Sequence, residues 1–338
     1  MLFAACAFNL RQMKLRNAIY VFLGILSMQA SADRLYFNDL STPKSLDDLR
    51  AIQKAMQSNL SRAREATVCL QIGEGSGSGV IVSPEGLVLT AAHVTGGVGE
   101  EVKVVMEDGT EYQGVSLGLN AKTDAAMLKI TDSGPFPFVE YDKDDATKLG
   151  DWVFSLGHSG GFDKARGINV RIGRLVREAE TTIQSDCMLI GGDSGGPLFN
   201  MTGKVIGIHS RVGASKEESM HVPLREFQAH WEELEKSDFV GEGPFAKKPV
   251  PGSGFLGMLV EDDLEKKGLR VTELWEKGPA ENAGIKVGDL IVEVEGEKAT
   301  EELLKNTLGQ LGSGQKISIK WIGGDETKEK ELKLGERP

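Results

Sequence analysis

Residues 192–198 read Gly192-Asp193-Ser194-Gly195-Gly196-Pro197-Leu198. Glycine gives up more backbone freedom on ordering than any other residue, so a serine set among three glycines is costly to hold in place. Such a run makes sense where backbone must approach a reacting group with no side chain in the way. The N–H groups of Gly192 and Ser194 can then converge on one point and stabilise a developing oxyanion while the Ser194 hydroxyl attacks. A tight turn that merely holds a serine is the bland alternative, and the rest of the chain decides between them.

A serine hydroxyl is a weak nucleophile near neutral pH. It needs a base within hydrogen-bond reach, itself oriented by a third group. The chain offers five histidines. His93 ends Val88-Leu89-Thr90-Ala91-Ala92-His93-Val94, downstream of Gly75-Ser76-Gly77-Ser78-Gly79-Val80-Ile81-Val82-Ser83-Pro84-Glu85-Gly86. The pair reads as a strand, a tight turn and a second strand, with His93 where the second strand gives out among small neighbours. A lone histidine is ordinarily a half-buried core residue; beside Gly192–Leu198 the base is the stronger reading. Asp124, in Thr123-Asp124-Ala125-Ala126-Met127-Leu128-Lys129-Ile130, is the candidate orienting acid. It leads directly into an apolar strand, and a carboxylate buried there needs a partner such as an imidazole N–H. Asp108-Gly109 reads as a hairpin turn and Asp132-Ser133-Gly134-Pro135 as a loop, so both rivals are solvated.

His93, Asp124 and Ser194 follow the chain order of the chymotrypsin-like arrangement, unlike subtilisin-like enzymes or α/β-hydrolases. Gly192-Asp193-Ser194-Gly195-Gly196 formally fits the hydrolase nucleophile elbow, which must lie between a strand and a helix. Here Asn200-Met201-Thr202-Gly203 turns into Lys204-Val205-Ile206-Gly207-Ile208, a strand, and the elbow reading fails on context.

Taken together, GSGVIVSPEGLVLTAAHV (77–94), TDAAMLKI (123–130) and GDSGGPLFNMTGKVIGIHS (192–210) resemble the HtrA/Deg family of trypsin-like serine proteases. The likeness extends over roughly residues 67–335. It implies a mainly β fold, a chymotrypsin-like double six-stranded β-barrel followed by a small α+β PDZ domain. By motif position it implies His93 as general base, Asp124 as its orienter and Ser194 as nucleophile. The N–H groups of Gly192 and Ser194 would form the oxyanion hole.

Two features depart from that family. Its members usually carry Asn before the serine, where this chain has Asp193, as digestive trypsin-like enzymes do. In those enzymes the Asp pairs with an N-terminus released by cleavage, and no matching activation sequence precedes the barrel region here. An unpaired Asp193 would leave the oxyanion loop mobile and dependent on an activating ligand. The second departure is Cys187-Met188-Leu189-Ile190-Gly191, an apolar segment expected to line the primary specificity pocket through Met188, Leu189 and Ile190. It favours a small or medium apolar side chain before the scissile bond and offers no acid for Lys or Arg. His209 and Ser210 are expected to form another wall of the cleft.

Residues 241–254, GEGPFAKKPVPGSG, read as a Gly/Pro-rich linker. Beyond it, Leu269–Trp275 and Gly288–Val294 read as strands, Gly278–Gly284 as a helical turn and Lys316–Trp321 as a closing strand. Thr300–Leu311 is helical by pattern, with Leu303, Leu304, Thr307, Leu308 and Leu311 on one face and two glutamates in the first turn. This layout resembles a bacterial PDZ domain, most diagnostically in KGPAENAGIKVGDLI (277–291). The resemblance implies a peptide groove between Phe255-Leu256-Gly257-Met258 and the helix, with N–H groups of Leu256, Gly257 and Met258 holding a peptide carboxylate.

At 338 residues the chain has room for both barrels and the PDZ domain. The expected division is an export signal over 1–32, an N-terminal helical segment over 33–66 with its helix at Leu46–Arg64, a protease domain over 67–240, the linker, and a PDZ domain over 255–338. Arg11, Lys14 and Arg16 precede the apolar run Ala18–Met28, and Ala30-Ser31-Ala32 offers a cleavage site. That run is short for a membrane span, an uncleaved anchor being the alternative, and Met13 is an alternative start. Loss of 1–32 removes three basic residues and no acid, taking the net charge from −11 to −14. So acidic a protein is a poor partner for nucleic acid or anionic membranes. No His/Cys/Asp cluster has metal-ligand spacing, and acyl transfer through Ser194 needs no cofactor. Export permits a disulfide between Cys69 and Cys187, two separate buried thiols being the alternative. Some members of the family trimerise through N-terminal segments, and Tyr36-Phe37 is the candidate anchor for a homotrimer.

These observations together imply an exported, periplasmic or secreted serine endopeptidase acting on unfolded or damaged polypeptides, its PDZ domain capturing apolar segments or peptide C-termini. The rival reading is a catalytically latent, chaperone-like peptide binder.

Overall fold

Small and β-branched residues in short runs, broken by glycine turns, close into two six-stranded barrels over residues 67–223. The structure is a computed structural model that describes residues 34–336 except 74, 214–217, 264 and 325. The export signal expected over 1–32 therefore lies outside the described residues. The first barrel comprises β1 (Thr67–Ile72), β2 (Gly75–Ile81), β3 (Leu87–Ala91), β4 (Glu101–Val105), β5 (Glu111–Asn120) and β6 (Ala125–Ile130), and β6 closes it by pairing with β5. The second comprises β7 (Trp152–Gly157), β8 (Asn169–Glu178), β9 (Ile183–Ser185), β10 (Pro197–Asn200), β11 (Val205–Val212) and β12 (Ser219–Pro223). Two short helices, α3 (Leu224–Gln228) and α4 (Trp231–Glu235), follow β12, and a short strand β13 (Phe239–Val240) adds in parallel to β5.

All five residues of β3 are buried, which explains a continuous apolar run instead of alternation. Leu89 and Met127 of the first barrel meet Phe154 and Phe199 of the second in one core cluster. The two phenylalanine rings stack with centroids 4.9 Å apart. The same cluster takes in Phe37, Ile52, Ala63 and Ala66 from the N-terminal segment.

That segment opens with a short 3-10 turn, Tyr36–Asp39, and continues as helix α1 (Leu46–Ala66). Ser45 caps the helix reciprocally with Asp48, placing a carboxylate among N–H groups that lack intrahelical partners. Arg34 reaches Asp151 at 2.7 Å and Asn38 accepts from the Trp152 N–H at 3.0 Å, tying the segment to the start of β7. Phe37 is buried in the core of its own chain, so Tyr36 alone of the pair is exposed.

The compact unit from Gly241 onward has its own core of Leu269, Val271, Ile291, Ile317, Ile319 and Trp321. Strands β14 (Gly254–Phe255) and β21 (Gly335–Glu336) pair with each other. The main sheet runs in the order β15 (Met258–Asp263), β16 (Gly268–Leu274), β17 (Leu290–Val294), β19 (Lys316–Gly323) and β20 (Glu326–Lys333), with β18 (Glu297–Lys298) beside β17. Its helices are α5 (Pro279–Ala283) and α6 (Glu301–Gln310). Thr300 caps α6, its hydroxyl accepting from the Leu303 N–H at 3.1 Å, so the expected helix begins one residue later. Strands β15 and β20 are not expected from the sequence; β20 reads as a charge run because Leu332 is its one buried side chain.

Phe37 is 2% exposed, and truncating a phenylalanine so enclosed leaves a cavity. Phe37→Ala is expected to lower stability by about 3 kcal/mol in urea unfolding, and a loss under about 1 kcal/mol would mean the N-terminal segment is not part of the cooperative core.

Candidate active site

The end of β3 and the start of β6 pair at Ala91 and Ala125, and this register brings His93 and Asp124 together. His93 lies in a single helical turn, α2 (Ala92–Thr95), directly after β3. Asp124 sits in left-handed backbone at φ +71°, a conformation that Asp tolerates better than most residues, and its carbonyl accepts from the Ala92 N–H at 3.0 Å. Its carboxylate is fully buried and grips His93 at two points. Oδ1 accepts from the His93 backbone N–H at 3.0 Å, and the carboxylate lies 2.9–3.0 Å from Nδ1. A carboxylate at Nδ1 favours the tautomer with hydrogen there and a lone pair on Nε2. The Ser210 hydroxyl donates to Asp124 Oδ2 at 2.5 Å.

Ser194 follows in the turn before β10. With His93 and Gly192 it lines a cleft of about 250 Å³, walled also by Leu70, Ile72 and Val94. Its hydroxyl donates to the Ser210 carbonyl at 3.4 Å, so the serine faces the histidine's cleft without bonding the ring. The loop is seated by backbone contacts: the Ser78 N–H donates to the Ser194 carbonyl at 2.7 Å, and the Gly195 N–H to the His209 carbonyl at 2.7 Å. A Cβ on Gly195 would stand 2.1 Å from the Ser78 carbonyl oxygen, and φ is +84° there, so only glycine fits. Among the described residues, neither the Gly192 nor the Ser194 N–H donates to another protein group.

Asp193 has partners that the sequence left unidentified, so the condition for a mobile loop, an unpaired Asp193, is not met. Its carboxylate is fully buried, accepts from the Ser159 hydroxyl at 2.6 Å and the Ile190 N–H at 2.9 Å, and lies 3.0 Å from Arg171. Sequence reasoning missed Arg171 and Ser159; in an alternating strand, Arg171 reads as an ordinary solvated cation.

In the apolar segment ahead of the serine, Leu189 is buried while Met188 and Ile190 are half exposed. His209 is a correction. Its ring is buried against His221, Nδ1 to Nδ1 at 2.9 Å, and does not wall the cleft; Ser210 beside it supports Asp124 instead. His221 in turn reaches Ser185 at 2.8 Å. Burial, with the Arg171 charge adding to it, pushes the His209 pKa down to about 3. Burial also holds His221 well below the usual value, as it lowers His158. Cys69 and Cys187 are separate buried free thiols rather than a disulfide, and burial pushes both up to about 11.

In the C-terminal unit, β15 forms the edge of its sheet and α6 packs beside it. Phe255 packs edge-on to Trp275 with ring centroids 5.4 Å apart. The Leu256 side chain is core, its carbonyl accepting from the Ala280 N–H at 2.9 Å. Gly257 takes φ +73° and its carbonyl accepts from the Trp275 N–H at 3.0 Å, which turns the loop into Met258 at the start of β15.

The trypsin-like peptidase domain model matches residues 77–208, and the PDZ domain model matches residues 246–306. By class, the chain thus joins a trypsin-like peptidase domain to a PDZ domain. The "Probable periplasmic serine endoprotease DegP-like" of Rickettsia prowazekii is 32% identical over 256 residues, covering 68% of this chain and 46% of that protein. The protein of the same name in Bartonella henselae is 28% identical over 343 residues, covering 93% of this chain and 66% of its own. The chain belongs to the HtrA family of PDZ-bearing proteases. It spans roughly half to two-thirds of the length of these relatives. A solved serine endoprotease from Yersinia pestis aligns at 23% identity with a TM-score of 0.48, over 88% of this chain and 100% of that one. The HtrA-type protease AlgW with tripeptide aligns at 26% with a TM-score of 0.47, over 85% and 97%.

The buried histidines set a pH dependence. Unfolded, each titrates near 6.5; folded, His209 and His221 stay neutral well below that, so the unfolded chain binds more protons across the interval. Stability is therefore present above about pH 6.5 and lost as pH falls toward the folded values, by up to about 1.4 kcal/mol per pH unit per histidine. The melting temperature is expected to drop between pH 7.5 and pH 5, and less steeply in His221→Gln. An unchanged melting temperature across that range would show that the pair does not titrate on unfolding.

Proposed function

We propose that the chain is an exported serine endopeptidase that cleaves unfolded or damaged polypeptides through an acyl-enzyme on Ser194. The observation that carries this reading is the grip of buried Asp124 on His93, backed by Ser210, in a cleft that also holds Ser194. Rotation of the Ser194 hydroxyl from the Ser210 carbonyl toward His93 Nε2 sets up the reaction, and catalytic hydrogen bonds commonly tighten only with substrate bound. Oγ then attacks the scissile carbonyl while Nε2 takes its proton, and Asp124 stabilises the imidazolium. The Gly192 and Ser194 N–H groups receive the oxyanion. The imidazolium protonates the departing amine, and water, deprotonated by the same ring, releases the acyl group.

An open cleft edged by Leu70, Ile72 and Val94, with Leu189 and its exposed neighbours Met188 and Ile190 ahead of the serine, suits an extended, apolar chain. A small or medium apolar residue before the cut is the preferred substrate feature. In the PDZ unit, the unpaired edge of β15 beside α6 suits strand addition by a captured peptide, with its carboxylate at the loop Phe255–Met258. The domain limits of this reading are protease 67–240, linker 241–254 and PDZ 255–338. Its location is the periplasm, as the relatives' names suggest, following export by residues 1–32. The seat of the Ser194 hydroxyl on Ser210 favours one second reading, a resting form that binds peptides without cutting.

Degradation of a denatured casein-like substrate separates the two. The parent is expected to cleave it, Ser194→Ala to lose at least about a thousandfold in rate while still binding apolar C-terminal peptides, and those peptides to stimulate the parent. No cleavage by the parent under any condition, with peptides still bound, leaves only the binding module.

A further inference from the structure

Beside the nucleophile a second carboxylate is buried, one that takes no part in proton transfer. Asp193 is completely shielded from solvent and immediately precedes Ser194. A carboxylate in such a place must be matched by opposite charge and hydrogen bonds. The match comes from β8: Arg171 Nη2 lies 3.0 Å from Asp193 Oδ2, and Nη2 also donates to the Ser159 hydroxyl at 2.9 Å. Ser159 donates onward to Asp193 Oδ1 at 2.6 Å, which closes a triangle of guanidinium, hydroxyl and carboxylate. The Ile190 N–H occupies the carboxylate from the other side at 2.9 Å. The neighbouring backbone is shaped to admit the group, since a Cβ on Gly157 would stand 2.6 Å from Asp193 Oδ1.

The two peptide groups ahead of Asp193 are held separately. The Gly160 N–H donates to the Gly191 carbonyl at 2.6 Å and the Ser78 hydroxyl to the Gly192 carbonyl at 2.8 Å. With those carbonyls drawn away into the protein and Asp193 pinned behind them, the path of the chain through Gly192 and Ser194 is fixed on both sides.

We propose that Arg171 is a positioning residue of the oxyanion loop: an internal cation that locks Asp193, and with it the Gly192 and Ser194 N–H groups, without a charged N-terminus released by cleavage. The proposal rests on the endopeptidase reading for its catalytic consequence, and on the ion pair alone for its structural one. Arg171 touches no substrate. Its loss disorders the N–H pair and so acts on the transition state more than on binding.

The test uses the full chain without its export segment and the variants Arg171→Gln, Arg171→Lys, Asp193→Asn, Ser159→Ala and the double Arg171→Gln/Asp193→Asn. Two readouts are taken: kcat and KM on a peptide with an apolar residue before the cut, and hydrogen exchange over residues 188–197. Arg171→Gln is expected to lower kcat by about a hundredfold or more, the scale of losing an oxyanion donor, with KM changed less than about fivefold. Arg171→Lys, which keeps the charge but not the fork, recovers most of the rate, and Ser159→Ala falls between. The double variant is expected to be no worse than the poorer single, whereas independent sites would multiply their losses. Exchange over 188–197 should quicken at least about tenfold in Arg171→Gln while both barrels keep their protection.

Parent-like exchange in Arg171→Gln, or losses that multiply in the double variant, would overturn the lock. If Arg171→Gln fails to fold, Arg171→Lys and Ser159→Ala decide by the same two readouts. A parent that never cleaves peptide sinks the endopeptidase reading, and the exchange measurement still decides whether Arg171 orders the loop.

Discussion

Everything at the site depends on two glycine-rich backbones approaching where the barrels meet. The Ser78 N–H of the first barrel donates to the Ser194 carbonyl at 2.7 Å, and the Thr90 hydroxyl takes up the Ser78 carbonyl at 2.8 Å. A Cβ on Gly77 would reach within 2.6 Å of Val94, beside the histidine turn, so the strand, that turn and the serine loop share one tight packing layer. Residues held this closely cannot drift independently, and the Ser194 loop of one barrel stays in register with the His93 turn of the other. Interiors packed to this density transmit small displacements instead of absorbing them.

Two fully buried carboxylates stand on either side of the nucleophile, and their surroundings assign them different work. Asp124 faces an imidazole and a hydroxyl, and its charge orients the ring and favours it when protonated. Asp193 faces a guanidinium, which keeps its proton at any accessible pH and can only hold. The first environment supports proton transfer and the second supports shape. The same Arg171 charge also helps keep His209 unprotonated behind the loop, so a single cation disfavours a second positive charge in the core.

Legibility followed chemistry. Ser194, His93 and Asp124 stand out in the sequence because acyl transfer limits residue identity and the glycines limit backbone shape, and the fold brings His93 and Ser194 to one cleft, with Asp124 buried against the ring and without an imidazole–hydroxyl bond. Helix α1 was readable as a helix of mixed acidic and basic residues over Leu46–Arg64, and the PDZ strands β16, β17 and β19 from alternation. Side-chain direction was not readable. Met188, Leu189 and Ile190 were read as one lining, yet the loop buries only the middle one. His209 and Ser210 were read as one wall, but a register shift between His209 and Arg211 interrupts the β11–β12 ladder, and the ring turns into the core. Arg171 gave no signal at all, since its partners lie in two other segments, Ser159 in the loop after β7 and Asp193 in the loop before β10, which the closed barrel brings to β8.

An internally locked loop changes where control of this site can act. In a zymogen the missing element is the ordered oxyanion loop, and activation supplies a charge. Here the charge belongs to β8, the loop is seated by backbone bonds from both barrels, and His93 is already fixed by Asp124. What remains unset is the Ser194 hydroxyl, held by a single long bond of 3.4 Å to the Ser210 carbonyl. That carbonyl belongs to the residue whose hydroxyl braces Asp124, so a strand of substrate drawn against β11 would contest the serine's resting partner while leaving the acid's support in place. Turning one side-chain rotor is a small free-energy step compared with ordering a loop. On the endopeptidase reading, the step left to an extended chain entering the cleft is the turn of that one rotor, with no loop left to order.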